Sequence, residues 1–134
     1  MTPIESLHFA MGELAYAVAR ADGTIQREER EKFHEIIEEE VRAQGYDFNV
    51  SDIIFQVLDR EKVVDAETAY DWALKEMRIN SHYLSPEMKE SFTRIMEKIA
   101  QAYPPVTAEE QELVNRFKKD MQSLKGDPVY YSHH

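Results

Sequence analysis

Two long helical patterns are joined by the stretch Ala21-Asp22-Gly23-Thr24-Ile25-Gln26-Arg27-Glu28-Glu29. Gly23 is well placed to end the first pattern, because glycine readily adopts the left-handed conformation that many helix C-termini require. Glu28 and Glu29 then lie in the first turn of the second pattern, where the helix dipole favours negative charge. The stretch therefore predicts a helical hairpin with carboxylates on both sides of its turn.

The two helices of this hairpin have clear boundaries in the sequence. Thr2-Pro3-Ile4-Glu5 has the pattern of a capping box with proline at the first helical position, and apolar residues recur at helical spacing to about Ala21. The second helix begins near Arg27 and stops at Gly45. Its glutamates fill most of the solvent-facing surface, and its predicted buried stripe consists of Phe33, Ile36, Ile37 and Val41.

Four more helices are predicted after this hairpin. The residues that would cap their N-termini are Asn49, Asp65, Ser85 and Thr107. Thr107 would form a second capping box with Glu110. Three large side chains of the fourth helix lie at helical spacing and are expected in the core, namely Tyr70, Trp72 and Met77.

The chain contains an internal repeat with an offset of 81 positions. Glu28-Glu29 aligns with Glu109-Glu110, and the apolar positions upstream of each pair also match. The turns differ, because Asp22-Gly23-Thr24 is replaced by Tyr103-Pro104-Pro105. The second hairpin is therefore expected to keep the fold of the first and to lack its turn acid.

These patterns predict an all-α, compact bundle of about six to seven helices. Two quasi-repeated hairpins, at about 4–41 and 86–124, would flank a middle helix pair. We expect a single domain over residues 1–125 and a C-terminal tail over 126–134. Gly126-Asp127-Pro128 is predicted to end regular structure, and the tyrosines after it either pack back on the domain or hang free. His133 and His134 are assigned no function.

Composition excludes several classes of function. The 134 residues include no cysteine, which excludes disulfides, iron–sulfur clusters and thiol catalysis. The net charge of −10 repels phosphate backbones, so we expect cations or basic proteins as partners and no nucleic acid. Residues 1–5 have neither the basic nor the apolar region of a signal peptide, and no run of about 18 apolar residues occurs. We therefore expect a cytoplasmic protein without direct membrane insertion.

The turn of the first hairpin partly matches a calcium-binding loop. Asp22 to Glu29 corresponds to positions five to twelve of an EF-hand, with Gly23 at the glycine position. Val18 and Arg20 would then occupy ligand positions, and neither offers an acidic oxygen. A weaker oxygen-ligand site for Mg²⁺ or Ca²⁺ remains open, as does a purely structural Asp-Gly turn.

The chain resembles the tellurite-resistance protein TerB family and the wider TerB-like domains. The resemblance rests on the Ala-Asp-Gly-x-Ile-x-x-Glu-Glu hairpin of residues 18–37 and on its weaker echo at 99–118. It implies a cytoplasmic, all-α domain of bacterial stress-response systems that works with membrane-associated protein partners. A related domain accompanies J-domain co-chaperones.

The resemblance also implies that acidic residues of the two hairpins bind a divalent cation. By position, the ligands would be Asp22 with Glu29 or Glu28 from the first hairpin, and Glu109 or Glu110 from the second. The second turn, Tyr103-Pro104-Pro105, lacks the acid, which argues against a symmetric pair of sites.

Two Glu-x-x-His pairs, Glu5-x-x-His8 and Glu31-x-x-His34, match the ligand pattern of di-iron helical bundles. Glu31 is predicted on the solvated side of its helix, so a carboxylate-bridged metalloenzyme ranks third and we expect no enzymatic activity. The first expectation is a non-enzymatic, acidic scaffold that binds a divalent cation. The alternative is a protein-interaction module of the co-chaperone-associated type, without metal.

Overall fold

The computed structural model describes residues 2–21, 27–46, 48–60, 65–102 and 106–132. These residues form helices, with no strand among them, so the predicted all-α bundle is confirmed. A 3₁₀ turn, Ser81–Tyr83, precedes the fifth helix. In chain order, the helices are α1 (Pro3–Ala19), α2 (Arg27–Ala43), α3 (Val50–Arg60), α4 (Ala66–Ile79), α5 (Pro86–Ala102), α6 (Ala108–Ser123) and α7 (Pro128–Tyr131).

The predicted capping residues begin these helices. At α1, the Glu5 N–H donates to Thr2 Oγ1 at 3.2 Å and the Thr2 N–H donates to Glu5 Oε1 at 3.4 Å, which completes a capping box. Such caps satisfy backbone donors that have no partner within the helix, and each contributes about 1 kcal/mol. The same role is played at α3, α4, α5 and α6 by Asn49, Asp65, Ser85 and Thr107.

The ends of the first two helices agree with the sequence to within two residues. α2 ends at Ala43, and Gly45 then adopts a left-handed φ of 74°, as its position predicts. α1 ends at Ala19, two residues before the predicted end near Ala21. Gly23, the glycine predicted to end α1, lies outside the described residues.

α1 is the central helix of the bundle. Every residue from Leu7 to Ala19 is buried, and α1 contacts each of the helices from α2 to α6. This helix is apolar on nearly all of its faces, as expected of a helix surrounded by others. Each fully buried aliphatic side chain contributes about 1.5–3 kcal/mol. Gly12 permits the close approach of α3, because a Cβ atom there would lie 3.0 Å from Val57 Cγ2.

The internal repeat is visible in the helix positions and in the core. α2 begins at Arg27 and α6 begins at Ala108, which is 81 positions later. Matched apolar positions of α1 and α5 are all buried, namely Leu7 and Met88, Met11 and Phe92, and Leu14 and Ile95. Between the two hairpins, α3 and α4 both pack on α1.

The prediction that Trp72 lies in the core is wrong. Tyr70 and Met77 are fully buried as expected, but Trp72 is 58% exposed. Two residues correspond to about 200° around an α-helix, so Trp72 lies on the side of α4 opposite to Tyr70. The face that α4 turns towards α1 consists of Ala69, Tyr70, Ala73, Leu74 and Met77.

The prediction that regular structure ends at Gly126 is also wrong, because Pro128–Tyr131 forms the short helix α7. Of the two alternatives for the tail, it packs back: the Tyr130 ring lies 4.6 Å from that of His82, and the Asp127 N–H donates to the His82 carbonyl at 2.9 Å. Gly126 makes this possible, because a Cβ atom there would lie only 2.1 Å from the Leu84 carbonyl oxygen.

Candidate functional site

The first hairpin contributes two described carboxylates near its turn. Glu28 and Glu29 both lie in the first turn of α2, where the helix dipole favours their charge. Glu28 is exposed to solvent, whereas Glu29 is partly buried. Asp22, the turn acid that the sequence places first among the candidate ligands, lies outside the described residues.

The second hairpin contributes Glu109 and Glu110 in the first turn of α6. Glu109 is exposed, whereas Glu110 is only 1% exposed. The Glu110 N–H donates to Thr107 Oγ1 at 3.1 Å, and the Thr107 hydroxyl donates to Glu110 Oε1 at 3.3 Å. Thr107 therefore both caps α6 and helps to fix the buried carboxylate, so the predicted capping residue has a role at the candidate site.

The repeat relates these four residues in pairs. Glu28 corresponds to Glu109, and both are exposed. Glu29 corresponds to Glu110; Glu29 is partly buried and Glu110 is buried. Equivalent helices that pack in equivalent ways turn equivalent positions towards the core. Within each adjacent pair of glutamates, Glu29 and Glu110 are therefore the less exposed residues.

A third inward-facing carboxylate, Glu13, is not predicted as a site residue. Glu13 lies in the middle of α1, is 5% exposed, and belongs to the helix that contacts both α2 and α6. A carboxylate is costly to bury unless charges or hydrogen bonds compensate it. The signal was present in the sequence, because an acidic residue in a helix that is apolar on nearly all faces has no solvated side to occupy.

Glu40 is a fourth carboxylate with little exposure, and it joins the two hairpins. Its oxygens accept hydrogen bonds from Arg94 Nε at 2.8 Å and from Lys98 Nζ at 3.2 Å, both on α5. Burial alone would raise the pKa of Glu40, but the hydrogen bonds and charges of Arg94 and Lys98 outweigh it and hold the pKa below its ordinary value. Glu40 is therefore an anion that holds α2 against α5.

The two Glu-x-x-His pairs occupy different surroundings. Glu5 completes the capping box of α1, and Glu31 is exposed. His8 is buried and donates from Nδ1 to the Ile4 carbonyl at 2.8 Å. His34 Nε2 lies 3.0 Å from Glu38 Oε2 on its own helix. Neither pair has the inward-facing glutamate and histidine together that a di-iron bundle requires.

Aromatic rings enclose the His8 imidazole. Their centroids lie 4.7 to 5.1 Å from that of His8, and the rings belong to Tyr46, Phe48 and Phe92. Burial lowers the pKa of His8 to about 4, although the hydrogen bond to Ile4 acts in the opposite direction. His8 is therefore a neutral core residue at physiological pH.

Two features of the described residues bear on metal and membrane chemistry. No group of three or more histidine, aspartate or glutamate residues with the geometry of a metal site occurs in the described ranges. In the same part of the chain, no helix combines the length and the apolar character needed to cross a bilayer. Asp22 and the rest of the first turn lie outside the described residues, so neither statement covers them.

The fold is an all-helical domain with acidic hairpins. It has a central apolar helix, two quasi-repeated hairpins, and carboxylates at the start of α2 and α6. Residues 8–122 match the protein family described as tellurite resistance protein TerB. This match covers most of the chain, and the chain therefore belongs to the TerB family. Comparison with curated proteins and with solved structures gave no match.

Proposed function

We propose that the chain is a non-enzymatic, cytoplasmic domain of a bacterial stress response of the tellurite-resistance type, in which hairpin carboxylates hold one divalent cation. Membership of the TerB family supports the tellurite-resistance type of this function. The observation that carries the second part is the partial burial of Glu29 and the burial of Glu110 at equivalent positions of the two hairpins.

The chemistry of the donors favours a hard cation. Mg²⁺ and Ca²⁺ take oxygen ligands and keep waters in positions that the protein does not fill. Asp22, Glu29 and Glu110 would supply carboxylate oxygens, and the exposed Glu28 and Glu109 would remain in solvent. An ion bound in this way would link the first turn of α2 to that of α6, and membrane-associated protein partners would recognise the linked domain.

Calorimetric titration of Mg²⁺, Ca²⁺, Mn²⁺ and Zn²⁺ into the full chain tests this proposal. We expect one ion per chain for at least one metal, and a binding heat that is lost in Asp22→Ala and in Glu110→Gln. The adjacent substitution Glu109→Gln is the matched control, because it removes the same charge from an exposed position. It should preserve the heat.

Two results would contradict the proposal. Equal heats in the wild type and in Asp22→Ala would remove Asp22 from the site. An equal loss of affinity in Glu109→Gln and Glu110→Gln would indicate a diffuse effect of negative charge instead of a defined site. Circular dichroism of each variant separates loss of binding from loss of folding, since the all-α fold gives a strong helical signal.

The second candidate function is a metal-free protein-interaction module of the co-chaperone-associated TerB-like type. The observation that favours it is the outer face of α4, where Trp72 is 58% exposed and Ile79 is 67% exposed. These residues are seven positions apart and therefore lie on one side of the helix. Large apolar side chains grouped in solvent are typical of surfaces that bind another protein.

Trp72 is the single tryptophan of the chain, so its fluorescence reports directly on this face. In the interaction-module interpretation, adding a J-domain protein shields Trp72 from quenching by acrylamide, with or without EDTA. Unchanged quenching at saturating J-domain protein would rule out this partner. Shielding that disappears in EDTA would favour the cation-dependent proposal instead.

A further inference from the structure

A polar cluster joins α2 to the start of α3, and it consists of His34, Glu38 and Ser51. His34 Nε2 lies 3.0 Å from Glu38 Oε2 and 3.1 Å from Ser51 Oγ. The Ser51 hydroxyl donates to Glu38 Oε2 at 3.3 Å. One nitrogen and two oxygen atoms from two helices therefore form a closed triangle. We call these three residues the His34 cluster.

Local rules of sequence position the side chains of this cluster. His34 and Glu38 are four residues apart on α2, so they project from the same side of that helix. The same spacing places two zinc-binding histidines on one helix face in metalloproteases. Asn49 caps α3 by accepting the Asp52 N–H at 3.3 Å, which fixes the first turn of α3 and with it Ser51.

The separations within the His34 cluster suit three ligands of one metal ion. Zinc binds nitrogen and oxygen ligands at about 2.0–2.2 Å in tetrahedral geometry, so two ligand atoms of one ion lie roughly 3.3–3.6 Å apart. The observed separations of 3.0, 3.1 and 3.3 Å are close to this range. An ion could therefore replace the protons shared among the three atoms with only small movements of the side chains.

The His34 cluster is accessible from solvent. The side chains of His34 and Glu38 are 23% and 26% exposed, so an ion reaches them without unfolding of either helix. Beside them lies an open cavity of about 270 Å³, and its lining includes Glu38, Tyr46, Asn49 and Ser51. This cavity leaves room for the water that completes the coordination of a zinc ion with three protein ligands.

Most of the charge around the His34 cluster is negative. Glu35 and Glu39 are exposed and line the same surface depression as Glu38, which favours a cation there. Arg42 is the cation of this surface, and it pairs with Glu38 through Oε1, whereas the cluster uses Oε2. Because the Arg42 side chain is 76% exposed, its guanidinium can turn into solvent when an ion binds.

A nucleophilic role for Ser51 fits this geometry less well. In such a role, the ring nitrogen that faces the hydroxyl accepts its proton, and a carboxylate holds the opposite ring nitrogen. Here Ser51 Oγ and Glu38 Oε2 both lie beside the same nitrogen, His34 Nε2. A proton on Nε2 that is donated to Glu38 prevents this nitrogen from acting as a base. Three atoms that converge in this way favour a shared ion.

We propose that His34, Glu38 and Ser51 bind one Zn²⁺ ion, with water completing its coordination, and that the ion ties α2 to the start of α3. An imidazole nitrogen suits Zn²⁺, whereas Mg²⁺ and Ca²⁺ prefer oxygen ligands. This site shares no residue with the cation site proposed for the hairpin carboxylates, so the inference does not depend on that site.

The test is a calorimetric titration of Zn²⁺ into the full chain in an excess of Mg²⁺ and Ca²⁺, which occupy any site made of oxygen ligands. We expect one Zn²⁺ per chain. His34→Gln should weaken Zn²⁺ binding about tenfold or more, because loss of even an outer-shell partner of a metal ligand costs this much. Glu38→Gln should have a similar effect. Ser51→Ala should have a smaller one, because a neutral hydroxyl is the weakest of the three ligands.

Matched controls separate this site from other histidines and acids. Glu39→Gln removes the same charge as Glu38→Gln from the adjacent, exposed position and should preserve Zn²⁺ binding. His82→Gln and His133→Gln/His134→Gln remove imidazoles elsewhere in the chain and should preserve it as well. Long-range ¹H–¹⁵N spectra of the imidazoles give a second readout. Zn²⁺ should shift the Nε2 resonance of His34 and leave that of His82 unchanged.

A gain of affinity is expected when the competing cation is removed. Arg42→Ala should strengthen Zn²⁺ binding, because it frees the Glu38 carboxylate from the guanidinium. Arg78→Ala makes the same charge change at an exposed position of α4 and should have little effect. Equal gains in the two variants would indicate a general effect of net charge and would contradict a site at Glu38.

Several outcomes would overturn the inference. Equal Zn²⁺ affinity in the wild type and in His34→Gln would remove the imidazole from the site. Loss of binding in His133→Gln/His134→Gln would assign the ion to the C-terminal tail, and loss in Asp22→Ala alone would assign it to the hairpin carboxylates. If His34→Gln loses its helical circular dichroism, the spectra of the wild type decide, and an unshifted His34 Nε2 resonance overturns the inference. Failure here leaves the Mg²⁺ and Ca²⁺ titrations of the hairpin variants unaffected, and the reverse also holds.

Discussion

The hydroxyl of Tyr70 donates a 2.7 Å hydrogen bond to Asp120 Oδ2 and so joins α4 to α6 across the bundle. The guanidinium of Arg116 lies 4.3 Å from the centre of the Tyr70 ring and pairs with Glu67 and Asp71 on α4. Burial, and then the hydrogen bond to Asp120, raises the pKa of Tyr70 well above its ordinary value. The phenol therefore acts as a permanent donor between two helices distant in sequence.

Tyr70→Phe should lower the free energy of unfolding by about 1–3 kcal/mol, because it removes one partner of a hydrogen bond to a charged group. Urea unfolding measures the change. Tyr130→Phe is the matched control, since Tyr130 is 42% exposed, and it should alter stability by less than about 0.5 kcal/mol. Equal effects of the two substitutions would mean that the Tyr70–Asp120 bond contributes nothing.

Glu40→Gln should destabilise the fold at neutral pH by about 1–2 kcal/mol. The glutamine amide has nearly the shape of the glutamate carboxylate, but it lacks the negative charge that pairs with Arg94 and Lys98. Arg94 and Lys98 are about half exposed, so water can hydrate their charges in the variant, and this limits the loss of stability. Glu39→Gln, at the adjacent exposed position, should have little effect.

Comparing the wild type with Glu40→Gln at several pH values also tests the role of Glu40. Its pKa is lower in the folded than in the unfolded chain, so its contribution is present above the ordinary glutamate pKa and is lost as the pH falls below it. The unfolding free energies of wild type and Glu40→Gln should therefore converge in acid. A difference that stays constant down to low pH would contradict this role.

His8 should make the fold less stable in mild acid. Its pKa is about 4 in the folded protein and 6.5 in a model peptide, so the unfolded chain binds the additional proton between these values. Stability is therefore complete above about pH 6.5 and decreases by about 3 kcal/mol as the pH falls to 4. Urea unfolding of wild type and His8→Phe at several pH values measures this slope.

The phenylalanine variant keeps an aromatic ring among Tyr46, Phe48 and Phe92 but cannot titrate. It should lose the part of the pH dependence that lies between pH 6.5 and 4, whatever its stability at neutral pH. Identical pH slopes in the two proteins would show that His8 is accessible to protons in the folded state.

Gly126→Ala should detach the tail from the 3₁₀ turn, because the added Cβ atom cannot lie 2.1 Å from the Leu84 carbonyl oxygen. Hydrogen exchange should then accelerate at the Asp127 amide, which donates to the His82 carbonyl in the native fold. Gly45→Ala is the control, because its strain at φ 74° is local to the end of α2. Unchanged exchange at Asp127 in Gly126→Ala would contradict this account.

Much of the fold could be predicted because it depends on local rules. Thr2, Asp65 and Thr107 mark helix starts through side chains that bond the backbone three residues further on, and Gly45 marks an end through its left-handed φ. The internal repeat could be found by aligning the chain with itself at an offset of 81 positions. The starts of α2 and α6, which are 81 positions apart, confirm it. TerB membership likewise agrees with the motif of the first hairpin.

Trp72 shows where local rules were insufficient. Helical spacing shows which residues share a face, but the side from which other helices pack decides which face is buried. Tyr70 and Trp72 are two positions apart, and only the packing of α4 on α1 buries the first and exposes the second. Glu13 is buried because helices surround α1 on all sides.

The hairpin with the acidic turn was identifiable from sequence alone, since its caps, glycines and paired glutamates are all local features of the chain. The sequence left open which glutamate of each pair faces inwards. Glu110 is buried and Glu109 is exposed because α6 packs against α5 and α1, and Glu29 and Glu28 follow the same division in α2. A difference of one residue, about 100° around a helix, is decided by tertiary contacts and not by helix propensity.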